Sequence, residues 1–321
     1  MRALVVTSMY PTPRNPGLGG FVRDQVEALR EIDGLEVEIF AFEPGAARRY
    51  AGAARDLRRA HGHQRFDVVH AHYGLAGWVA LALGRQAPLV VTFHGTDLAH
   101  RVVGPLSRLL ARRIDLAAPV SASLARDPEG GLPGAGRTLA TPVLPCGVNL
   151  DRFRPRDRRE ARSRLGLDPD GRYLLFPSDP MRPEKRHDRA RALAAAAGGV
   201  DLLTYGGAAP EQVPDLINAA NAVIATSERE GFGLAPLEAL ACDVPVLSTD
   251  VGIAPVVLQA VAGTLAAPFD SSIWLGALRP HLDHADPRVE GRGRASLFER
   301  NRMAERVFES YRELARDGAP T

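Results

Sequence analysis

Lysine is almost absent from this sequence. The chain has 321 residues and 40 basic side chains, of which 39 are arginine and one, Lys185, is lysine. So general a preference for arginine is typical of genomic codon bias and carries no function by itself. It does make the single lysine informative. A lysine kept in such a chain indicates a place for a compact, flexible point charge rather than a planar guanidinium.

Cysteine, excess charge and long apolar runs are scarce as well. Cys146 and Cys242 give neither a disulfide framework nor the spacing of a metal site. A net charge of +2 lacks the basic excess of nucleic-acid-binding proteins, so no nucleic-acid partner is expected. No apolar run reaches the roughly 18 residues of a membrane span. The apolar start is broken too early for a signal peptide. These absences favour a globular cytoplasmic protein.

What the sequence does contain is a regular series of short apolar runs separated by amphipathic segments. Such runs predict parallel strands that are buried on both faces of a sheet. The predicted strands are ALVVTS (3–8), LEVEIFAF (35–42), DVVHAH (67–72), PLVVTFHG (88–95), LAAPVSAS (116–123), YLLFPSD (173–179), DLLTYGG (201–207), AVIATSE (222–228), VPVLSTD (244–250) and GTLAAPF (263–269).

The series is interrupted once and then restarts. Residues 141–160 are rich in Pro, Arg and Asp, lack an apolar period, and are interpreted as the interdomain segment. We therefore predict an α/β protein with two Rossmann-like doubly wound domains, 1–150 and 151–321, that face a central cleft. Apolar residues at helical spacing predict a terminal helix at about 296–316.

Ligands of such folds bind where strands end, so residues that directly follow strands are the candidates. Gly19 and Gly20 lie in PGLGGF (16–21), before a predicted helix, where backbone N–H groups can approach a ligand. An ordinary tight turn explains them equally well. His94 ends a strand in TFHGTD (92–97). It is either a hydrogen-bonding or acid–base group in the cleft or a satisfied structural histidine.

Charged residues flank two further strand ends. Arg182 and Lys185 lie on the loop that leads into a predicted helix. Cations at a helix N-terminus oppose the helix dipole, unless an anion such as phosphate lies between them and the helix. The alternative is a solvated basic loop. Glu230 and Glu238 are eight residues apart and flank a glycine-lined helix start. Two such carboxylates could hold hydroxyls at both ends of one ligand, while the N–H groups of residues 232–235 bind phosphate oxygens.

The segment EGFGLAPLEALACDVPV (230–246) resembles the Glu-x7-Glu signature of retaining glycosyltransferases of family 4, also called glycosyl transferases group 1, which have the GT-B fold. Residues 1–29 resemble the opening of that family, especially its teichuronic-acid and capsule branch. The stretches TFHGTD, PCGVNLDRFRP (145–155) and PEQVPDLINAANAVIATSEREGFG (210–233) resemble other family segments. The resemblance therefore runs through nearly the whole chain.

The resemblance implies transfer of a hexosyl unit, with retention, from a nucleotide-diphospho-sugar to a hydroxyl of a glycan, lipid-linked or small-molecule acceptor. A UDP-sugar is favoured and a GDP-sugar comes next. No metal and no other cofactor is expected. The setting would be bacterial polysaccharide or glycoconjugate biosynthesis. The N-terminal domain would bind the acceptor and the C-terminal domain the donor, with the terminal helix packing back on the N-terminal domain.

The resemblance also implies roles for single residues. Arg182 and Lys185 would neutralise the diphosphate leaving group. Glu230 and His94 would contact the donor sugar near the reacting centre, and Glu238 the ribose. The remaining donor-binding positions are those of the two glycine-rich loops: Gly19, Gly20, Gly231, Phe232, Gly233 and Leu234. Arg182 stands three residues before the lysine, closer than in the commoner family pattern, which makes its role an open question.

Several alternatives stay open at this stage. Asp168-Pro169-Asp170 imitates a metal-binding Asp-x-Asp motif, but its turn-rich surroundings favour a plain loop. A nucleotide-sugar 2-epimerase and a non-catalytic sugar-nucleotide-binding subunit are the competing functions. The basic segment 48–65 is either a solvated helix face or a peripheral contact with the anionic inner face of a membrane.

Overall fold

The computed structural model describes residues 1–126, 132, 142–259 and 261–317. Thr141, where the predicted interdomain segment starts, and residues 318–321 lie outside this part. The chain forms two compact units. The first comprises Met1–Gly147 and the residues from Arg300 onward, and the second comprises Val148–Glu299. The chain thus passes between units at 147/148, three residues before the predicted boundary at 150/151.

The first unit is built on a parallel five-stranded sheet with strand order β2-β1-β3-β4-β5. Its strands are β1 (Arg2–Thr7), β2 (Glu36–Ala41), β3 (Val68–His72), β4 (Leu89–Phe93) and β5 (Leu116–Pro119). Every residue of β3 and β4 is buried. This burial explains why the sequence shows continuous apolar runs instead of alternation. The helices that connect these strands are α1 (Gly20–Arg30), α2 (Ala47–His61), α3 (Gly74–Ala80), α4 (Thr96–Ala99) and α5 (Val103–Leu110), and α6 (Ala122–Arg126) follows β5.

The second unit repeats this architecture, with sheet order β7-β6-β8-β9-β10. Its strands are β6 (Tyr173–Phe176), β7 (Asp201–Thr204), β8 (Ala222–Ala225), β9 (Val246–Ser248) and β10 (Leu265–Ala266). Its helices are α7 (Arg158–Arg164), α8 (His187–Ala197), α9 (Val213–Ala219), α10 (Leu234–Ala241), α11 (Ala254–Leu258), α12 (Ser271–Leu282) and α13 (Arg292–Ala295). Numbered within its own unit, each sheet has the order 2-1-3-4-5, which is a doubly wound topology.

The last helix, α14 (Arg300–Asp317), belongs to the first unit. It packs against α1 and buries Val307 and Tyr311 in the core of the first sheet. The predicted return of this helix to the N-terminal domain is thereby confirmed, although the predicted range 151–321 had kept it with the second domain. The helix also starts later than residue 296, because Ser296–Phe298 form a separate 3-10 turn and Glu299 is extended.

All ten predicted strands are found among the described residues, and the α/β fold class with two Rossmann-like units is confirmed. The segment 141–160 is less irregular than its composition predicts, because α7 begins inside it. The reason is a local cap: the Asp157 side chain accepts a hydrogen bond from the backbone N–H of Glu160 at 2.9 Å.

Candidate active site

In a sheet of order 2-1-3-4-5, the connections from the first and third strands run to opposite faces, and a crevice opens between their carboxyl ends. In the second unit these strands are β6 and β8. The loop after β6 carries Arg182 and Lys185, and the loop after β8 carries Glu230. Both charged segments singled out in the sequence therefore border the topological switch point of this unit.

The two loops are joined by an ion pair. Lys185 Nζ lies 2.5 Å from Glu230 Oε1, and the Ser227 hydroxyl donates to the same oxygen at 2.7 Å. The side chains of Lys185 and Glu230 are only 15% and 20% exposed, so the pair is mostly buried but still accessible to solvent. Ser227 was not singled out in the sequence, although it is the second residue after β8.

Backbone hydrogen bonds hold the same two loops. The Thr226 hydroxyl lies 3.0 Å from the carbonyl oxygen of Lys185 and 2.9 Å from that of Arg186. The N–H of Glu228 donates to the carbonyl of Glu184 at 2.9 Å. The ammonium group of Lys185 is thus presented by a braced backbone rather than by a loose surface loop.

The neighbouring arginines are engaged differently. Arg182 donates from Nε and Nη2 to Glu184 Oε1, at 2.9 and 2.6 Å, and its side chain is half exposed. Arg186 has a left-handed backbone and is held by two carboxylates, those of Asp188 and Glu228. Arg182, with a single exposed partner, can therefore turn to a ligand more easily than Arg186 can.

The glycine-rich loop after Glu230 leads directly into α10. Gly233 has a φ of +83°, and the helix starts at the next residue, Leu234. Within the described chain, no side chain caps this helix start, and uncapped N–H groups of this kind are able to bind anionic oxygens. Phe232 is different, because its side chain is buried beside Phe298. That side chain is not available to a ligand.

Glu238 lies in the second turn of α10 and is partly buried. Its charge acts on Tyr205 in the loop after β7, a residue that was not singled out in the sequence. Burial, followed by the negative charge of Glu238, raises the pKa of Tyr205 well above its ordinary value. The Tyr205 hydroxyl is buried and has no hydrogen-bond partner within the described residues. Its place just after a strand is the signal that could have identified it.

In the first unit, Gly19 and Gly20 lie at the start of α1, and His94 directly follows β4. Gly19 is left-handed at the start of α1, and a β-carbon there would lie 2.1 Å from the carbonyl oxygen of Met9. Glycine is therefore a steric requirement at position 19, whereas Gly20 faces open space. The ring of the next residue, Phe21, packs 4.9 Å from the ring of His94.

A buried carboxylate fixes the turn that carries His94. Asp97 Oδ1 accepts hydrogen bonds from the N–H groups of His94 and Gly95, at 3.0 and 2.9 Å, and Oδ2 accepts one from Gly74 at 3.1 Å. Burial raises the pKa of Asp97 to about 6, against the opposing effect of these N–H donors. Burial also lowers the pKa of His94 to about 3. His94 is thus a neutral hydrogen-bonding group at physiological pH.

The described residues contain no group of three or more His, Cys, Asp or Glu side chains arranged to hold a metal ion. In the Asp-x-Asp sequence, Asp170 is paired with Arg159 at 2.5 Å, and Asp168 accepts from the N–H of Asp170. Both cysteines are buried, and burial raises the pKa of each thiol to about 12. Neither is activated as a nucleophile.

Comparison with known proteins shows the family to which this chain belongs. The family described as Glycosyltransferase Family 4 matches residues 15–152, and the one described as Glycosyl transferases group 1 matches residues 183–280. The D-inositol 3-phosphate glycosyltransferase of Frankia alni is 31% identical over 95% of this chain and 97% of its own length. The chain belongs to glycosyltransferase family 4 and is a glycosyltransferase.

A second relative and the length of the first alignment extend this result. The D-inositol 3-phosphate glycosyltransferase of Mycolicibacterium paratuberculosis is 30% identical to this glycosyltransferase over 97% of the chain and 80% of the relative. The alignment with the Frankia alni enzyme spans 397 positions, more than the 321 of this chain, so that relative carries insertions that are absent here.

Solved structures show the fold of this family 4 glycosyltransferase independently. The sucrose-phosphate synthase of Thermosynechococcus elongatus matches with a TM-score of 0.78 at 19% identity, over 99% of each chain. Alr3699/HepE of Anabaena, solved in complex with UDP and glucose, matches with a TM-score of 0.72 at 19% identity, over 98% of this chain and all of its own.

We predict that Gly252 is required for the loop that holds Glu230. Gly252 has a φ of +61°, and a β-carbon there would lie 2.3 Å from the carbonyl oxygen of Phe232 and 2.9 Å from Glu230 Cβ. Gly252→Ala should therefore lower the free energy of unfolding by about 2 kcal/mol or more, as measured by urea denaturation.

The matched control is Gly276→Ala in helix α12 of the same unit, where a β-carbon meets nothing within 4 Å. This change should be neutral or stabilise by up to about 1 kcal/mol. Equal effects of the two substitutions would contradict the steric account of the loop.

Proposed function

We propose that this glycosyltransferase is a retaining, metal-independent hexosyltransferase that uses a nucleotide-diphospho-sugar and transfers the sugar to an acceptor hydroxyl. The observation that carries the proposal is the Lys185–Glu230 pair at the switch point of the second unit, beside the uncapped start of α10. Cationic and carboxylate groups meet there, as a ligand with both phosphates and sugar hydroxyls requires.

The chemistry explains why fixed cations would suffice. When the glycosidic bond to the diphosphate breaks, negative charge develops on the leaving phosphate oxygens. An ammonium group and N–H dipoles that already point at those oxygens stabilise this charge without reorganisation. Lys185 has three N–H donors and uses one on Glu230, so two are left for phosphate oxygens. Arg182 would add a second charge by leaving Glu184.

The two glutamates would hold the ends of the donor. The Glu230 carboxylate is fixed by Lys185 and Ser227 and has a second oxygen for a sugar hydroxyl. Glu238, eight residues on, would accept hydrogen bonds from the ribose. Of the loop between them, Gly231, Gly233 and Leu234 would contribute backbone N–H groups to phosphate and sugar oxygens. Phe232 would anchor the loop through its buried side chain.

The first unit would supply the other groups. Gly19 and Gly20 would lie near the donor phosphates, and neutral His94 would hydrogen-bond the donor sugar near the reacting carbon. No side chain is assigned as a general base, because the departing phosphate can accept the acceptor's proton in a retaining mechanism. The first unit would bind the acceptor and the second the donor.

The names of the relatives narrow the range of donor and acceptor substrates to be tested. Alr3699/HepE was solved with UDP and glucose, and with UDP-glucose, which supports a UDP-sugar as the first donor to test, before a GDP-sugar. The curated relatives act, by name, on D-inositol 3-phosphate, which supports a small phosphorylated polyol among the acceptor classes. Membership of the teichuronic-acid and capsule branch stays a prediction.

Peripheral membrane contact through residues 48–65 also stays a prediction. Helix α2 exposes five arginines to solvent but buries Ala53 and Leu57, so only its charge supports the idea. The five are Arg48, Arg49, Arg55, Arg58 and Arg59. Among the described helices, none has the length and apolar character needed to cross a bilayer.

The proposed function is tested by donor turnover in the presence of EDTA. We expect release of the nucleoside diphosphate from one of UDP-, GDP-, dTDP- or ADP-sugars, unaffected by EDTA, and a product whose anomeric configuration equals that of the donor. Loss of activity on chelation would contradict the metal-free mechanism, and an inverted product would contradict retention. Isomerisation of the donor sugar without nucleotide release would instead indicate a 2-epimerase.

Lys185 should matter more than any other cation of its loop. Lys185→Ala removes a charge-assisted contact worth about 1.5–3 kcal/mol, so kcat/KM for the donor should fall about 10- to 100-fold. Arg182→Ala should have a smaller effect, because Arg182 must first leave Glu184. Steady-state kinetics with varied donor concentration measures both.

The control is Arg191→Ala, which removes an exposed cation from helix α8. It should change kcat/KM less than twofold. If Lys185→Ala left donor kinetics at the level of this control, the assignment of the diphosphate to Lys185 would be wrong.

A further inference from the structure

A column of polar side chains runs through the first unit toward the carboxyl edge of its sheet. His70 and His72 on β3, and Thr92 on β4, occupy alternate positions and therefore point to the same face. His94 continues the same alternation just after β4. The face is the one covered by α1 and α14, because the Phe21 ring packs on His94 and the Tyr311 hydroxyl contacts His70.

His70 is fully satisfied within this column. Its Nδ1 lies 2.6 Å from the Tyr311 hydroxyl and its Nε2 lies 2.7 Å from the Thr92 hydroxyl. Both partners can donate or accept, so either tautomer of His70 fits. Buried with both ring nitrogens bonded, His70 has a structural part in joining α14 to the sheet.

His72 is different, because only one of its ring nitrogens has a partner. Its Nδ1 lies 3.2 Å from His94 Nε2, and the planes of the two rings are inclined by 29° with their centroids 5.4 Å apart, so the rings meet through these two nitrogens. Its Nε2 is buried and contacts no hydrogen-bonding group among the described residues. His72 is completely buried, so it cannot touch a substrate, whereas His94 is partly exposed. Burial lowers the pKa of both, which keeps both rings neutral.

The hydrogen bond between two neutral imidazoles contains one proton, which either one ring or the other donates. If His94 Nε2 carries it, then His72 must carry its own proton on Nε2, as a buried N–H with no acceptor. If His72 Nδ1 carries it, then the unpaired atom is a lone pair, and the proton of His94 lies on Nδ1. Buried N–H groups without an acceptor are the rarer of the two defects.

We propose that His72 is a positioning residue that fixes the tautomer of His94, so that His94 presents its Nδ1–H as a donor toward the bound sugar-nucleotide. The hydrogen bond made by one ring nitrogen decides where the other carries its proton. The Asp97 turn fixes the backbone of His94 and Phe21 lies against its ring, so the donor direction is set before the ligand arrives. What His94 contacts rests on the proposed function, but the tautomer does not.

The tautomer is measured directly, without substrate, on the full chain labelled with ring-15N histidine. His94→Gln and His72→Asn variants assign the two rings in long-range 1H–15N spectra. We expect both rings to be protonated on Nδ1 with bare Nε2 nitrogens. A His94 protonated on Nε2 would overturn the proposal, whatever the enzyme's donor turns out to be.

Kinetics tests the consequence. His72→Phe keeps a flat buried ring but removes the donor, and we expect kcat to fall about tenfold with little change in KM for the donor. His72→Asn places an amide N–H where Nδ1 stood and should restore most of that loss. Adding His72→Phe to the His94→Ala variant should lower kcat no further, because His72 acts through His94.

The outcomes separate the proposal from its premise. Additive losses in the double variant, or equal losses for the Phe and Asn variants, would reduce His72 to a packing residue and overturn its positioning role. If no donor is turned over, the proposed function fails while the spectra still decide the tautomer. Should His72→Phe not fold, the wild-type spectra and His72→Asn keep the test complete.

Discussion

One ion pair, Lys185–Glu230, is the interaction on which the candidate donor site depends. The strand order 2-1-3-4-5 separates the loops after β6 and β8 at their carboxyl ends, and this pair joins them again at 2.5 Å. Both side chains are mostly buried, so removal of one would leave the other without its counter-charge. A bound diphosphate would be a second counter-anion for Lys185 and would share that role with Glu230.

In the first unit, the groups around His94 are held by hydrogen bonds of buried ionisable side chains. The Asp97 carboxylate accepts hydrogen bonds from three backbone N–H groups and thereby fixes the turn that carries His94. His72 on β3 contacts His94, and His70 on the same strand connects the sheet to α14 through Tyr311. Each unit therefore has a preformed set of polar groups at its own strand ends, and preformed geometry is what positioned hydrogen bonds need in catalysis.

Much of the fold could be predicted from the sequence because parallel strands buried on both faces leave an unmistakable apolar signal. The glycine-lined helix start between Glu230 and Glu238, and the place of Lys185 and Glu230 after strands, followed from the same pattern. Boundaries were less predictable: α7 begins inside the supposed linker because Asp157 caps it, and α14 starts after an extended Glu299. Long-range interactions, such as the effect of the Glu238 charge on Tyr205 and the contact of His72 with His94, join residues more than 20 positions apart. Their positions in DVVHAH and TFH are compatible with a common face of the sheet, but the contact itself depends on how the two strands pair.

The central claim, that Lys185 contacts the diphosphate of the donor, has an unusually direct test. Because Lys185 is the one lysine of the chain, protein grown with 15Nζ-labelled lysine contains a single labelled side chain. The account predicts that its ammonium resonance shifts on titration with UDP, or with the nucleoside diphosphate of whichever donor is turned over, and stays in place with the matching nucleoside. A lysine resonance that does not move while calorimetry shows the nucleoside diphosphate site to be saturated would contradict the account.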